Sequence, residues 1–157
     1  MITLLDGPLG TELSARGVST RLPLWSASAI DTAPEVIAAI HRDYANAGAT
    51  VHTANTFRTK RRTAGSDWLR MTRDAVRIAQ QNGPRSQRVA GSISPLEDCY
   101  RPDLSPRKAS RPEHREMAEA LAEAGCDLLL CETFPDIEEA IVAVEESVRT
   151  EMETWLG

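Results

Sequence analysis

Two kinds of apolar pattern alternate along the chain. Short, nearly continuous apolar runs at Ile2 to Leu5, near Val51, at Arg88 to Ile93 and at Leu128 to Leu130 read as buried strands. Between them, apolar residues recur three and four apart: Val36, Ile37, Ile40 and Tyr44; then Leu69, Val76 and Ala79 within Ser66 to Gln81; then Met117, Leu121 and Ala124. That spacing predicts helices. A last helix is predicted after a capping Asp136, with Ile137, Ala140, Ile141, Val144 and Val148 as its inner stripe. A short helix near Gly10 to Arg16 interrupts the long first connection.

A repeat organises these elements. The stretches TAPE from Thr32 and SRPE from Ser110 each place a hydroxyl residue three positions before a glutamate, Glu35 or Glu113. Both predict capping boxes. Each following helix stops at Ala-Gly (Gly48, Gly125), where glycine takes the left-handed cap. Each next strand ends in a polar residue followed by Thr-Phe: Asn55-Thr56-Phe57 and Glu132-Thr133-Phe134. Strands alternating with helices predict a parallel sheet. The fold class is α/β, of the (β/α)8 TIM-barrel type where right-handed crossovers place the helices on one side of a sheet that curls. Residues 1–157 cover about the first four βα units, an open half barrel that reaches only the start of a fifth strand at Thr154 to Leu156. A closed barrel takes about 250 residues. The first and fourth strands are expected as open edges, which favours pairing with a second copy or with a complementary C-terminal half.

Barrels of this type bind ligands at the C-terminal ends of their strands. Asp6, Asn55, Ser92 and Glu132 all stand at such ends. Glu132 follows three leucines, and a carboxylate buried there without a partner is costly. Asp6 and Glu132 are accordingly the leading functional candidates.

Composition narrows the classes further. The chain is 41% hydrophobic and 26% charged, enough for one domain with a core. Its net charge of -5 is spread along the chain and leaves no basic footprint for nucleic acid or an anionic membrane. No apolar run approaches the ~20 residues of a membrane span, and Asp6 interrupts any signal peptide. Cys99, Cys126 and Cys131 fit no metal-finger spacing, so a reduced, cytoplasmic protein is expected. Lys60-Arg61-Arg62 reads as a solvated loop. His41 and His114 on helices and His52 in mid-strand read as satisfied structural residues.

Several stretches together carry a resemblance: DGPLGTEL from Asp6, PLWSASAI from Pro23, HRDYANAGA from His41, TANTF from Thr53, VAGSISPLEDCYRPDL from Val89, and LLLCETF from Leu128. In this order and spacing the chain resembles the N-terminal half of the zinc-dependent homocysteine S-methyltransferases. The resemblance implies transfer of a methyl group from an activated donor to the thiol of homocysteine, giving methionine, with homocysteine and a methyl donor as partners. It gives Asp6 and Glu132 roles in holding the amino acid, Glu132 on the ammonium, and it sets Gly7, Asn55, Thr56 and Ser92 in the same cavity. Pro8 stands where the family often has a second glycine; it removes a backbone donor and stiffens the loop. The family's zinc is held by three cysteines in segments these residues do not contain. Cys126 and Cys131 lie about 16 Å apart along one strand, so they are not expected to replace them. Two alternatives stay open: a catalytically inactive half barrel that self-associates, and another (β/α) enzyme using Asp6 and Glu132 as an acid–base pair.

Overall fold

The computed structural model describes residues 2–84 and 86–157. Seven α-helices and four strands are described, in the order α1 (Leu9–Ala15), α2 (Ala29–Thr32), α3 (Pro34–Asn46), β1 (Val51–Ala54), α4 (Arg61–Ala64), α5 (Trp68–Asn82), β2 (Arg88–Ile93), α6 (Arg111–Glu123), β3 (Leu128–Cys131), α7 (Ile137–Val148) and β4 (Thr154–Leu156). The strands form one sheet in the order β1-β2-β3-β4. Every pairing is parallel, with Ala54 beside Gly91, Ile93 beside Cys131, and Cys131 beside Leu156. The chain is an α/β half barrel. None of its described helices is long and apolar enough to cross a membrane.

The leucine run follows from burial on both faces of this sheet. Leu129 and Cys131 pack against the helices with Val76, Met117 and Leu121. Leu128 and Leu130 point the other way, with Val51, Ala90 and half-buried Trp155. A second helical cluster joins Leu13, Ile30, Ile37, Ile40 and Met71 from α1, α2, α3 and α5. Gly48 (φ +103°) and Gly125 (φ +86°) take the left-handed conformation expected at the helix stops. Gly91 is required by close approach. A methyl group there would lie 2.9 Å from Cys126 Sγ and 3.0 Å from both Leu121 methyls, all within the core. Gly91→Ala is therefore expected to cost about 1–3 kcal/mol of stability, measured by chemical denaturation.

Several sequence expectations are corrected. The segment Ile2 to Leu5 forms only a single parallel bridge, Leu5 to Val51, extended by Asp6 N–H donating to the Val51 carbonyl at 3.0 Å. It is the sheet's outer edge, and Ile2 and Leu4 stay exposed. Thr154 to Leu156, by contrast, is a paired strand that covers the edge of β3. Neither capping box forms. Thr32 lies inside α2 and donates its hydroxyl to the Ser28 carbonyl (3.0 Å), while Ser110 donates to the Arg107 carbonyl (2.5 Å). In both cases a helical turn precedes the expected cap and supplies a nearer acceptor. Glu113 turns outward to Arg62 at 2.7 Å. Asp136 does cap α7, accepting from the amides of Glu138 and Glu139.

The inner stripe of α7 is also corrected. Ile137, Ile141 and Val148 are exposed, and the buried face carries Glu139, Ala140, Val142, Ala143, Glu146 and Ser147. Two carboxylates are drawn inward by partners on distant segments. Glu139 accepts from the Leu96 amide, the Ser105 hydroxyl and His114 Nε2. Glu146 meets Arg111 and Arg115. Lys60 is likewise not solvated: it is buried, donating to Ser94 Oγ at 3.1 Å and to the Pro95 carbonyl, while Arg61 and Arg62 pair with glutamates of α6.

Candidate active site at the strand ends

The C-terminal ends of the strands open onto a cavity of about 720 Å³. Five of the six residues singled out from the sequence line it: Asp6, Gly7, Asn55, Ser92 and Glu132. Thr56 does not. Its side chain is buried beside the cavity, where Oγ1 donates to the Ser92 carbonyl and accepts the Ser92 amide, both at 2.9 Å. Thr56 is thus a staple between the ends of β1 and β2. Asn55 is similarly anchored, donating to the Ser26 carbonyl at 2.8 Å. Gly7 carries no side chain because the Tyr44 ring occupies the space a Cβ would need, 2.6 Å from the Tyr44 oxygen. Pro8 leads directly into α1.

The two carboxylates are positioned differently. Asp6 follows the bridge to β1 and is clamped by Thr53, whose amide and hydroxyl each donate to it at 2.9 Å. Glu132 follows the last residue of β3 and accepts from Ser92 Oγ at 2.5 Å. Thr133, immediately after it, holds φ +63°. That left-handed conformation is strained for a β-branched residue, and it turns the chain as it leaves Glu132. Trp25, which also lines the cavity, is left-handed too at φ +48°.

Burial pushes the Asp6 carboxyl up to about 6; the Thr53 bonds oppose the rise and the nearby Glu132 charge adds to it. Burial also raises Glu132, against the Ser92 hydrogen bond. Among the described residues neither carboxylate has a lysine or arginine within 4.0 Å. Among the described residues two acids at one cavity therefore have no lysine or arginine partner, an arrangement complementary to a cationic group. Arg58 lines the same cavity, its Nε buried without a hydrogen-bond partner and its guanidinium 5.9 Å from the centre of the Phe57 ring.

Thr53, Trp25, Arg58 and the Asp98-Cys99-Tyr100 loop also line the cavity and were not assigned from the sequence. TANTF, PLWSASAI and VAGSISPLEDCYRPDL contained the signal for Thr53, Trp25 and the Asp98-Cys99-Tyr100 loop, because all three stretches are part of the resemblance.

The cysteines do not form a metal centre. Cys99 is half-buried at the cavity, Cys126 Sγ faces the helix layer beside Gly91 and Leu121, and Cys131 Sγ lies 3.5 Å from Ser147 Oγ on α7. Burial pushes the Cys126 thiol up to about 12 and raises that of Cys131. Among the described residues, no set of three potential metal ligands lying within 4.8 Å of one another includes a cysteine. The zinc that the resemblance implies does not fit these three residues.

The Homocysteine S-methyltransferase family matches residues 3–157. The chain is 34% identical over 162 residues to the homocysteine S-methyltransferase of Escherichia coli, covering 88% of this chain and 52% of that protein. It is 32% identical to homocysteine S-methyltransferase YbgG of Bacillus subtilis, with the same two coverages. The solved structure of the E. coli homocysteine methyltransferase MmuM in its metallated form superimposes with a TM-score of 0.87 at 30% identity, over 99% of this chain and 62% of that one. The chain thus spans about half the length of the curated relatives it matches. With a family match over residues 3–157 and a fold that superimposes over 99% of its length, the chain belongs to the homocysteine S-methyltransferase family.

Proposed function

We propose that this chain forms the amino-acid-binding half of a homocysteine S-methyltransferase. The observation that carries this is the pair Asp6 and Glu132, presented to one cavity from two strand ends without a lysine or arginine partner among the described residues. An amino acid ammonium supplies the missing charge. Glu132 receives it, Asp6 reinforces the negative field, and Arg58 offers the substrate carboxylate an opposite charge. The reaction is displacement of a methyl group from an activated donor onto the homocysteine sulfur, giving methionine. The part of the barrel that activates the sulfur is not supplied by Cys99, Cys126 and Cys131, so the present residues bind and orient.

The test is a calorimetric titration with L-homocysteine and with 4-sulfanylbutanoate, which keeps the thiol and carboxylate but lacks the amino group. Saturable binding of homocysteine, at least about tenfold tighter than the desamino compound, is expected from one lost charge-assisted contact. Equal affinity for the two, or no binding of homocysteine, would contradict the proposal.

A further inference from the structure

Behind the cavity, on the helix side of the sheet, two histidines meet. His41 on α3 and His52 on β1 are 0% and 1% exposed, with ring centres 5.6 Å apart and planes at 79°. Among the described residues none of their four ring nitrogens has a hydrogen-bond partner in bonding geometry; the Gln87 side chain, its Oε1 also buried and unpaired, is the polar group beside His52. This corrects the expectation that both are satisfied structural residues. Buried polar atoms are nearly always paired, and a neutral imidazole needs both an acceptor and a donor. His114 is half satisfied: its Nε2 lies 3.1 Å from the Glu139 carboxylate, while its Nδ1 has no partner among the described residues.

The group that His41 and His52 share is Asp6. Its Oδ2 lies 4.0 Å from His41 Nδ1 and 3.9 Å from His52 Nδ1. These separations are too long for hydrogen bonds, but atoms bound to one ion also stand apart. Bonds of about 2.0–2.1 Å in a tetrahedral site separate neighbouring ligands by roughly 3.4 Å. One ligand atom from each of Asp6, His41 and His52 lies within 4.8 Å of the others, so a point exists within about 2.8 Å of all three. Sub-ångström contraction would bring each to bonding distance. The Thr53 amide and hydroxyl already fix the carboxylate, as outer-shell donors do for metal-bound acids.

We propose that Asp6, His41 and His52 form a binding site for a divalent transition metal of the zinc type. Two imidazoles and one carboxylate suit zinc, cobalt(II) or iron(II). Calcium and magnesium prefer oxygen ligands throughout. The site is separate from any cysteine centre, since it uses no thiol. Asp6 alone of the three lines the cavity, so the ion would sit behind the substrate pocket and couple to it through that carboxylate. The proposal does not depend on the methyltransferase reading; when bound, the ion takes up the Asp6 charge and Glu132 remains as the carboxylate that meets an ammonium.

The experiment loads chelator-stripped protein with Co(II) and, separately, with Zn(II). One equivalent of Co(II) is expected, with visible d–d absorption and no sulfur-to-cobalt charge transfer. Zn(II) is expected to shift the ring-nitrogen NMR signals of His41 and His52 and to leave those of His114 in place. This measurement needs no variant. In His52→Gln, metal affinity should fall at least about tenfold, the equivalent of one lost ligand, while the metal-free protein keeps its melting temperature. Absence of stoichiometric uptake, a sulfur charge-transfer band, unmoved His41 and His52 signals, or unchanged affinity in His52→Gln would each overturn the proposal.

Discussion

Exchanging Glu132 for glutamine is expected to weaken homocysteine binding by about 30-fold to several thousand-fold, while the fold becomes no less stable. Losing the charged partner of a buried ammonium costs about 2–5 kcal/mol, which is that range of affinity. Stability should move the other way. Burial raises the Glu132 carboxyl, so ionisation at this position opposes folding. Glutamine removes the charge and keeps an oxygen to accept the Ser92 hydroxyl, now 2.5 Å from Glu132 Oε1. Titration calorimetry and thermal unfolding of the same preparation separate the two effects. An affinity within about threefold of the parent, or a marked loss of stability, would mean that Glu132 is a structural residue.

The parts of the fold that were legible in the sequence are those whose causes are local. Leu128 to Cys131 reads as a strand because its residues are apolar on both faces, and both faces are covered. Gly48 and Gly125 mark helix stops because the left-handed turn is a property of one residue. The strand-end acids were legible for the same reason: each directly follows its apolar segment. What failed depended on partners far along the chain. Ile137, Ile141 and Val148 match a helical stripe, yet α7 turns its carboxylates inward because Leu96, Ser105 and His114 wait for Glu139. Lys60 was misplaced because Ser94 and Pro95 receive it across the strand ends. His41 and His52 lie on a helix and a strand, each after an apolar residue and before a polar one, and only their meeting with Asp6 makes them unusual.

Glu139→Ala is expected to cause the largest loss of stability, about 3–5 kcal/mol, the cost of removing one partner from a buried hydrogen-bonded charge. The carboxylate is 0% exposed and accepts at 2.8 Å from the Leu96 amide, 2.6 Å from the Ser105 hydroxyl and 3.1 Å from His114 Nε2. Alanine strands all three donors. Leu96 and Ser105 bracket Asp98, Cys99 and Tyr100, so the cavity wall they form should loosen and homocysteine affinity should fall with stability. The acid response identifies the cause. Burial alone would raise the Glu139 carboxyl, but the bonds from His114, Ser105 and Leu96 outweigh it and hold it below its ordinary value. Protonation is therefore easier in the unfolded chain. The contribution is fully present above the ordinary carboxylate value and is lost as pH falls through the lower, folded one. Glu146, held low by Arg115 first and then Arg111, adds a loss of the same sign. Unfolding free energies from urea titrations at about pH 7 and about pH 3 should show the parent losing more stability on acidification than Glu139→Ala does. If the variant and the parent lose equally, the Glu139 contacts do not hold the loop as ionised groups.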